Sequence, residues 1–150
     1  MPRDRRTTPE HPTVQALRKV LLAALLLGIV GTLTELLLLE HTEGTWQKVP
    51  LVLLGLGALS LVVRFLRPRS SSLRLLRGVM ILFVASGLVG IYLHYRGNVE
   101  LELEMVPSRS GFDLFREAIG GATPALAPGT MVQLGLIGLG YCLRHPLVRE

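Results

Sequence analysis

The sequence has little of what most enzymes and nucleic-acid-binding proteins depend on. Its 150 residues include one cysteine, Cys142, so no intramolecular disulfide can form. Only 18% of the residues are charged, and the basic ones bracket apolar runs instead of forming a basic and aromatic surface, which excludes nucleic acid as a partner. GxSxG, HExxH and Walker signatures and paired cysteines are absent, so no enzymatic activity is predicted.

Long apolar runs dominate what is present, since 49% of the residues are hydrophobic. The first run contains a single formal charge, on Glu35, and its helical length of about 30 Å matches the hydrocarbon core of a bilayer. It is followed by no convincing signal-peptidase site, so we interpret it as an uncleaved anchor. The runs cover residues 20–39, 49–66, 75–95 and 125–143. We therefore predict an all-α integral membrane protein, with residues 1–150 forming a single domain built as a four-transmembrane-helix bundle.

The basic residues predict the orientation of these spans. Five Lys and Arg residues precede the first run, five lie around the loop after the second and two follow the fourth, whereas four lie on the opposite side. Cytoplasmic segments carry the excess of Lys and Arg, so both termini are predicted to be cytoplasmic. The predicted location is the inner membrane of a bacterial cell, as a multi-pass protein surrounded by lipid.

Residues 97–124 form the longest predicted segment outside the membrane. Gly97 and Asn98 are expected to end the third helix, and from Val99 to Met105 apolar residues alternate with Glu. This period of two predicts an extended strand. It would pair with another chain or lie on the helix rim; an irregular loop is the alternative.

A second element is predicted further along this segment. Phe112 and Phe115 fall on one helical face, Ser110 is a suitable N-cap, and Gly120 ends the pattern. We expect a short amphipathic helix that lies on the outer leaflet.

Glu35 is the most informative residue of the first run. The residues three, four, seven and eleven positions before it are all small, which favours close approach of a second helix. We therefore expect Glu35 to point into the helix bundle and towards a neighbouring helix, because a carboxyl group exposed to lipid is costly. The predicted helix-packing residues are Ala24, Gly28, Gly31, Thr32, Ser86, Gly90, Gly135 and Gly138. Cys142 is interpreted as a packing residue beside Gly138; a redox or lipid-acceptor thiol is the alternative.

Polar residues collect near the predicted outer ends of the helices. The candidates for ligand or ion binding are Glu35, Glu40, His41, His94 and Gln133. Histidine and carboxylate together suit a metal ion, and two histidines on different helices suit a haem iron. However, the spacing matches no ligand motif, and histidine is equally suited to a wet interface, so no cofactor or metal site is predicted.

Two functions remain open at this point. The first is an accessory or scaffolding subunit of a membrane complex, with a membrane-protein partner or a homo-oligomer as its assembly. The second is a small module that binds or transports an ion, a proton, haem or a quinone, centred on Glu35. The helix faces with small residues are suited to contact with other helices, which favours the function as a subunit of a complex.

Overall fold

The computed structural model describes most of the chain. The described residues are 11–40, 42, 44–121, 124–143 and 145–146. They form five helices: α1 (Pro12–Leu38), α2 (Thr45–Leu66), α3 (Ser70–Met105), α4 (Gly111–Ile119) and α5 (Gly129–Cys142). This part of the chain contains no strand, so the all-helical prediction is confirmed and the predicted strand is wrong.

Three helices, α1, α2 and α3, are long and apolar enough to cross a membrane. Large apolar side chains cover their outward faces; Leu27, for example, is 76% exposed. Such continuous apolar surface would be unfavourable in water and indicates a lipid environment.

The fourth apolar helix is shorter than predicted from the sequence. α5 has 14 residues, and the four residues before it form turns. The Ala127 N–H donates to the Pro124 carbonyl and the Gly129 N–H to the Leu126 carbonyl, while Pro128 has no N–H to donate. The regular helix therefore starts only at Gly129.

The apolar helices pack as a ring of neighbours. The main contacts join α1 with α2, α2 with α3, α3 with α5, and α5 with α1. Short connections after α1 and α2 make successive helices antiparallel. The fully buried side chains between them include Leu25, Ile29, Leu54, Leu76, Met80 and Phe83.

Glycines allow α3 and α5 to approach closely. A Cβ atom at Gly135 would lie 2.8 Å from the Met80 carbonyl oxygen and 3.0 Å from the Val84 nitrogen. A Cβ at Gly87 would lie 2.9 Å from the Pro128 carbonyl oxygen. The two backbones are therefore in near contact, which is the arrangement that small residues permit in membrane helices.

The segment predicted to be a strand continues α3 instead. α3 runs without interruption through Gly97 and Asn98 to Met105. Glu, Leu and Met are strong helix formers, and each residue added to an existing helix gains a hydrogen bond without a new nucleation cost. A lone strand would have left its backbone groups without partners, so the alternation of apolar and Glu residues does not decide the structure here.

Candidate interaction surfaces

Arg18 defines one end of the molecule, which we call the terminal end because the start of α1 and the end of α5 meet there. Its Nη1 donates to the Tyr141 carbonyl at 2.7 Å, and its Nη2 donates to the Leu143 carbonyl at 3.0 Å. The last carbonyls of a helix have no partner within the helix and carry partial negative charge. Arg18 therefore satisfies the end of α5 and ties it to α1.

Two further side chains meet at the terminal end. The rings of Tyr141 and His145 lie 5.5 Å apart between centroids, and Arg64 Nη2 lies 3.3 Å from His145 Nε2. The Arg64 Nε is buried and has no hydrogen-bond partner among the described residues. The terminal end therefore contains the guanidinium groups of Arg18 and Arg64 in defined positions. The buried Arg64 Nε has no acceptor among the described residues.

The opposite end carries what we call the arm, which consists of the last part of α3 from Tyr95 together with α4. Asn98, only 2% exposed, donates from Nδ2 to the Ala118 carbonyl at 2.8 Å. Tyr95 packs on Phe115 with ring centroids 6.1 Å apart. The predicted helix between Ser110 and Gly120 is confirmed as α4, but it packs against α3.

Ion pairs strengthen the arm. Glu102 is 8% exposed and forms an ion pair and hydrogen bond with Arg109, which leads into α4. On the outer side of α3, Arg96 Nε donates to Glu100 at 2.9 Å, and this hydrogen bond raises the pKa of the Arg96 guanidinium. Because the Arg96–Glu100 pair is exposed, it is expected to matter less for the position of α4 than the Glu102–Arg109 pair.

The outward face of α1, which we define as Ala24, Leu27, Gly31 and Glu35, is exposed along its whole length. The expectation that Glu35 faces a neighbouring helix of the same chain is therefore wrong. No hydrogen bond or ion pair joins the Glu35 carboxyl group to another described residue. Helical spacing correctly predicts that Glu35 shares a face with small residues. However, Gly28 lies at the edge of that face and is turned towards Leu134 of α5.

The remaining candidates for ligand binding have different surroundings. Glu40 is exposed and has a φ of 50°, the left-handed conformation, just after α1. His94 Nδ1 lies 3.3 Å from the Pro124 carbonyl oxygen, and Gln133 is exposed on α5. His41 lies outside the described residues. Among the residues that are described, no group of three or more His, Cys, Asp or Glu side chains is placed to hold a metal ion.

The predicted packing residues differ in what surrounds them. A Cβ at Gly28 would collide with Leu134, and one at Gly138 would collide with Met80. Gly90 lies against Pro128, whereas none of the described residues has an atom within 4 Å of the Cβ position of Gly31. Ala24 is exposed, Thr32 and Ser86 are half-buried, and Cys142 is buried in the core.

Sequence reasoning did not identify Asn98 or the Glu102–Arg109 pair as structural contacts. Asn98 follows Gly97, and this pair is typical of a helix end, which concealed its role inside α3. The partners of Arg18 are backbone carbonyls, so no side-chain pattern indicates them. The only indication of this role in the sequence is that Arg18 lies directly before an apolar run.

The comparisons give no relative from which a function could be transferred. The chain matches no protein-family model, no curated protein and no solved structure. The surfaces of the chain itself are therefore the only basis for inferring its function.

Proposed function

We propose that this protein is an accessory or scaffolding subunit of a membrane complex, which uses the outward face of α1 to bind a helix of another membrane protein or of a second copy. The single observation that carries the proposal is Glu35, an exposed carboxyl group beside an unfilled glycine on an apolar helix.

The chemistry of the outward face supports a helix as its occupant. Glu35 lies about 22 Å along the apolar part of α1 from Val20, and Leu36 to Leu39 follow it. A carboxyl group at that depth is unfavourable against lipid and gains from a hydrogen-bonding partner. Ala24 and Gly31 leave room for a second backbone, and interhelical packing and hydrogen bonds are the forces that join helices in lipid.

The proposal includes four membrane spans, with α5 as the fourth. α5 is 14 residues long, about 21 Å, and the preceding turn adds apolar residues from Ala125 onward. α5 also lies between α1 and α3, both long enough to span. The turn and α5 together would provide the fourth crossing of the membrane.

The proposed orientation has both termini in the cytoplasm of a bacterial cell, with the arm on the outer side of the inner membrane. The excess of Lys and Arg at the terminal end supports it, since cytoplasmic segments carry more of these residues.

A photo-crosslinking amino acid in place of Leu27 tests the outward face in living cells. The same amino acid in place of Leu59, an exposed apolar residue of α2, is the positional control. We expect a discrete protein adduct from position 27 and none from position 59. The mass of the adduct distinguishes a second copy from a different protein.

Gly31→Leu then tests whether the unfilled space is used. Gly55 on α2 also has no atom within 4 Å of its Cβ position, so Gly55→Leu is the matched control. Gly31→Leu should lower the adduct yield about fivefold, the effect of losing roughly 1 kcal/mol of helix packing, while Gly55→Leu leaves it unchanged. No discrete adduct at position 27, or equal losses in both variants, would contradict the proposal.

The orientation is tested by labelling engineered cysteines with a membrane-impermeant maleimide, in a Cys142→Ser background. Ser108 lies between the two helices of the arm, and Ser71 lies at the start of α3 at the terminal end; both are exposed. We expect Ser108→Cys to be labelled in intact cells and Ser71→Cys only after permeabilisation. The reverse pattern would place the arm in the cytoplasm.

A further inference from the structure

The arm presents two neighbouring phenylalanines on its surface, Phe112 and Phe115 of α4, which we call the aromatic face. The ring of Phe112 is 79% exposed, and Phe115 is also exposed. The centroids of the two rings lie 6.1 Å apart. Adjacent exposed phenylalanines are unfavourable in water and indicate a surface that an apolar environment covers.

The contacts of α4 with α3 show the direction in which the aromatic face points. Phe115 packs on Tyr95, at the end of the apolar run of α3. Arg109, just before α4, pairs with Glu102, which lies seven residues after Tyr95 and therefore about 10.5 Å further along the helix. The aromatic face is thus on the side of α4 that is nearer to the apolar run.

The charged side of α4 lies further from the apolar run. Asp113 Oδ2 is 3.4 Å from Arg109 Nε, next to Glu102. Arg116 pairs in turn with Asp113 and Glu117, and these pairs are exposed. α4 is therefore amphipathic along the direction of α3, with its aromatic rings towards the apolar run and its charges away from it.

The lipid-facing surface of α3 continues onto the aromatic face. Leu88 and Tyr92 are exposed on α3, and helical spacing places Tyr95 on the same side. Tyr95 then contacts Phe115. Tyrosine is enriched where a membrane meets water, so Tyr92 and Tyr95 are suited to mark that boundary on α3. Lipid that surrounds α3 at this boundary is therefore next to the aromatic face.

We propose that the aromatic face is a membrane-binding surface, and that it is covered by lipid of the adjacent leaflet at the boundary between headgroups and acyl chains. Phe112 and Phe115 enter this boundary, and the charged side of α4 stays in water. The proposal extends the sequence-based expectation of an amphipathic helix by naming the rings that enter the leaflet and the helix that holds them there. It does not depend on a partner of the outward face of α1.

Quenching of tryptophan fluorescence by brominated lipids tests the proposal with purified full-length protein in liposomes. Trp46, the single tryptophan, is exposed and is first replaced by Phe. Phe112→Trp then reports on the aromatic face. Met105→Trp is the control, because Met105 is an exposed apolar residue of the same arm that lies ten residues beyond Tyr95, at the end of α3.

We expect the tryptophan at position 112 to be quenched by bromines near the start of the acyl chains, because the apolar face of an interfacial helix enters the boundary by roughly 5–10 Å. Bromines near the chain ends should quench it less. The tryptophan at position 105 should be quenched little by either lipid.

Hydrogen–deuterium exchange in liposomes provides a second measurement. Phe112→Ala should raise the exchange rate of α4 about tenfold, equivalent to ~1.4 kcal/mol, near the lower end of the value for burying a phenylalanine. Alanine favours a helix more than phenylalanine does, so loss of helix propensity would not explain faster exchange. Arg116→Gln, on the charged side, is the control and should change the exchange of α4 little.

The proposal would be overturned by equal quenching at positions 112 and 105, or by equal exchange of α4 in Phe112→Ala and Arg116→Gln. Absence of quenching at position 112 would assign the aromatic face to a protein. Emission at short wavelength would then indicate a second copy, and emission typical of water would indicate a different protein. In all variants the photo-crosslinked adduct of position 27 should be unchanged, which separates this test from that of the outward face.

Discussion

The two sides of α1 carry similar small residues and have different surroundings. Gly28 faces α5, where Leu134 occupies the space that a side chain at position 28 would need. Gly31, one turn further, faces outward, and no atom of a described residue lies within 4 Å of its Cβ position. Small residues at helical spacing therefore indicate where a helix can approach, but not whether the approaching helix belongs to the same chain.

The largest predicted effect comes from the residue that fills the inner side. Leu134 is 4% exposed, so Leu134→Ala should leave a cavity against Gly28 and lower the free energy of unfolding by about 2–4 kcal/mol. Leu136, 58% exposed on the same helix, is the control, and Leu136→Ala should have little effect. Unfolding in mixed micelles measures both, and equal losses would mean that the Leu134 side chain is not packed as described.

A somewhat smaller loss is expected where two backbones approach. Gly135→Ala should cost about 1–3 kcal/mol of unfolding free energy, because its Cβ would press on the Met80 carbonyl and the Val84 nitrogen, which cannot rotate away. Gly78→Ala is the matched control, since nothing lies within 4 Å of the Cβ position of Gly78. Unchanged stability of Gly135→Ala would show that α3 and α5 are further apart.

In the arm, a buried hydrogen bond contributes to the attachment of α4 to α3. Asn98→Ala should remove the hydrogen bond to the Ala118 carbonyl and destabilise the attachment of α4 by about 1–2 kcal/mol. Hydrogen–deuterium exchange should then increase in α4 and remain unchanged in α5. Arg96→Ala removes only an exposed ion pair and should leave the exchange of α4 as it is.

The smallest effect has the opposite sign and tests the outer side. In the isolated chain, Gly31→Ala should raise the free energy of unfolding by about 0.5–1 kcal/mol, because alanine favours the helix and meets no neighbour. Gly55→Ala should give a similar gain. A loss of stability in Gly31→Ala alone would mean that the outward face is already filled within one chain, and the comparison of the two sides of α1 would fail.

The sequence predicted the helices that apolar length and end signals define. α4 starts after Ser110 and stops before Gly120, as the N-cap and glycine signals indicate, and the apolar runs at residues 20–39 and 49–66 lie within or close to α1 and α2. These features depend on residues near one another in the chain. Local propensity and periodicity are sufficient for them.

Features that depend on distant residues were not predictable in the same way. The residues from Val99 to Met105 have the period of a strand, but an existing helix and the contact of Asn98 with α4 decide their structure. The direction in which Glu35 points is decided by the position of α5, which helical spacing alone does not give. The contact between Arg18 and the last carbonyls of α5 likewise joins the two ends of the chain.

The length of α3 has a mechanical consequence. Its 36 residues form one continuous helix of about 54 Å, whereas the hydrocarbon core of a bilayer is about 30 Å thick. The apolar run of residues 75–95 accounts for about 31 Å of that length, so the remaining residues at this end, which include three Glu, extend the helix by about 15 Å beyond its apolar part. Because α4 packs against this extension, the length of α3 past its apolar run determines how far α4 stands from the apolar surface.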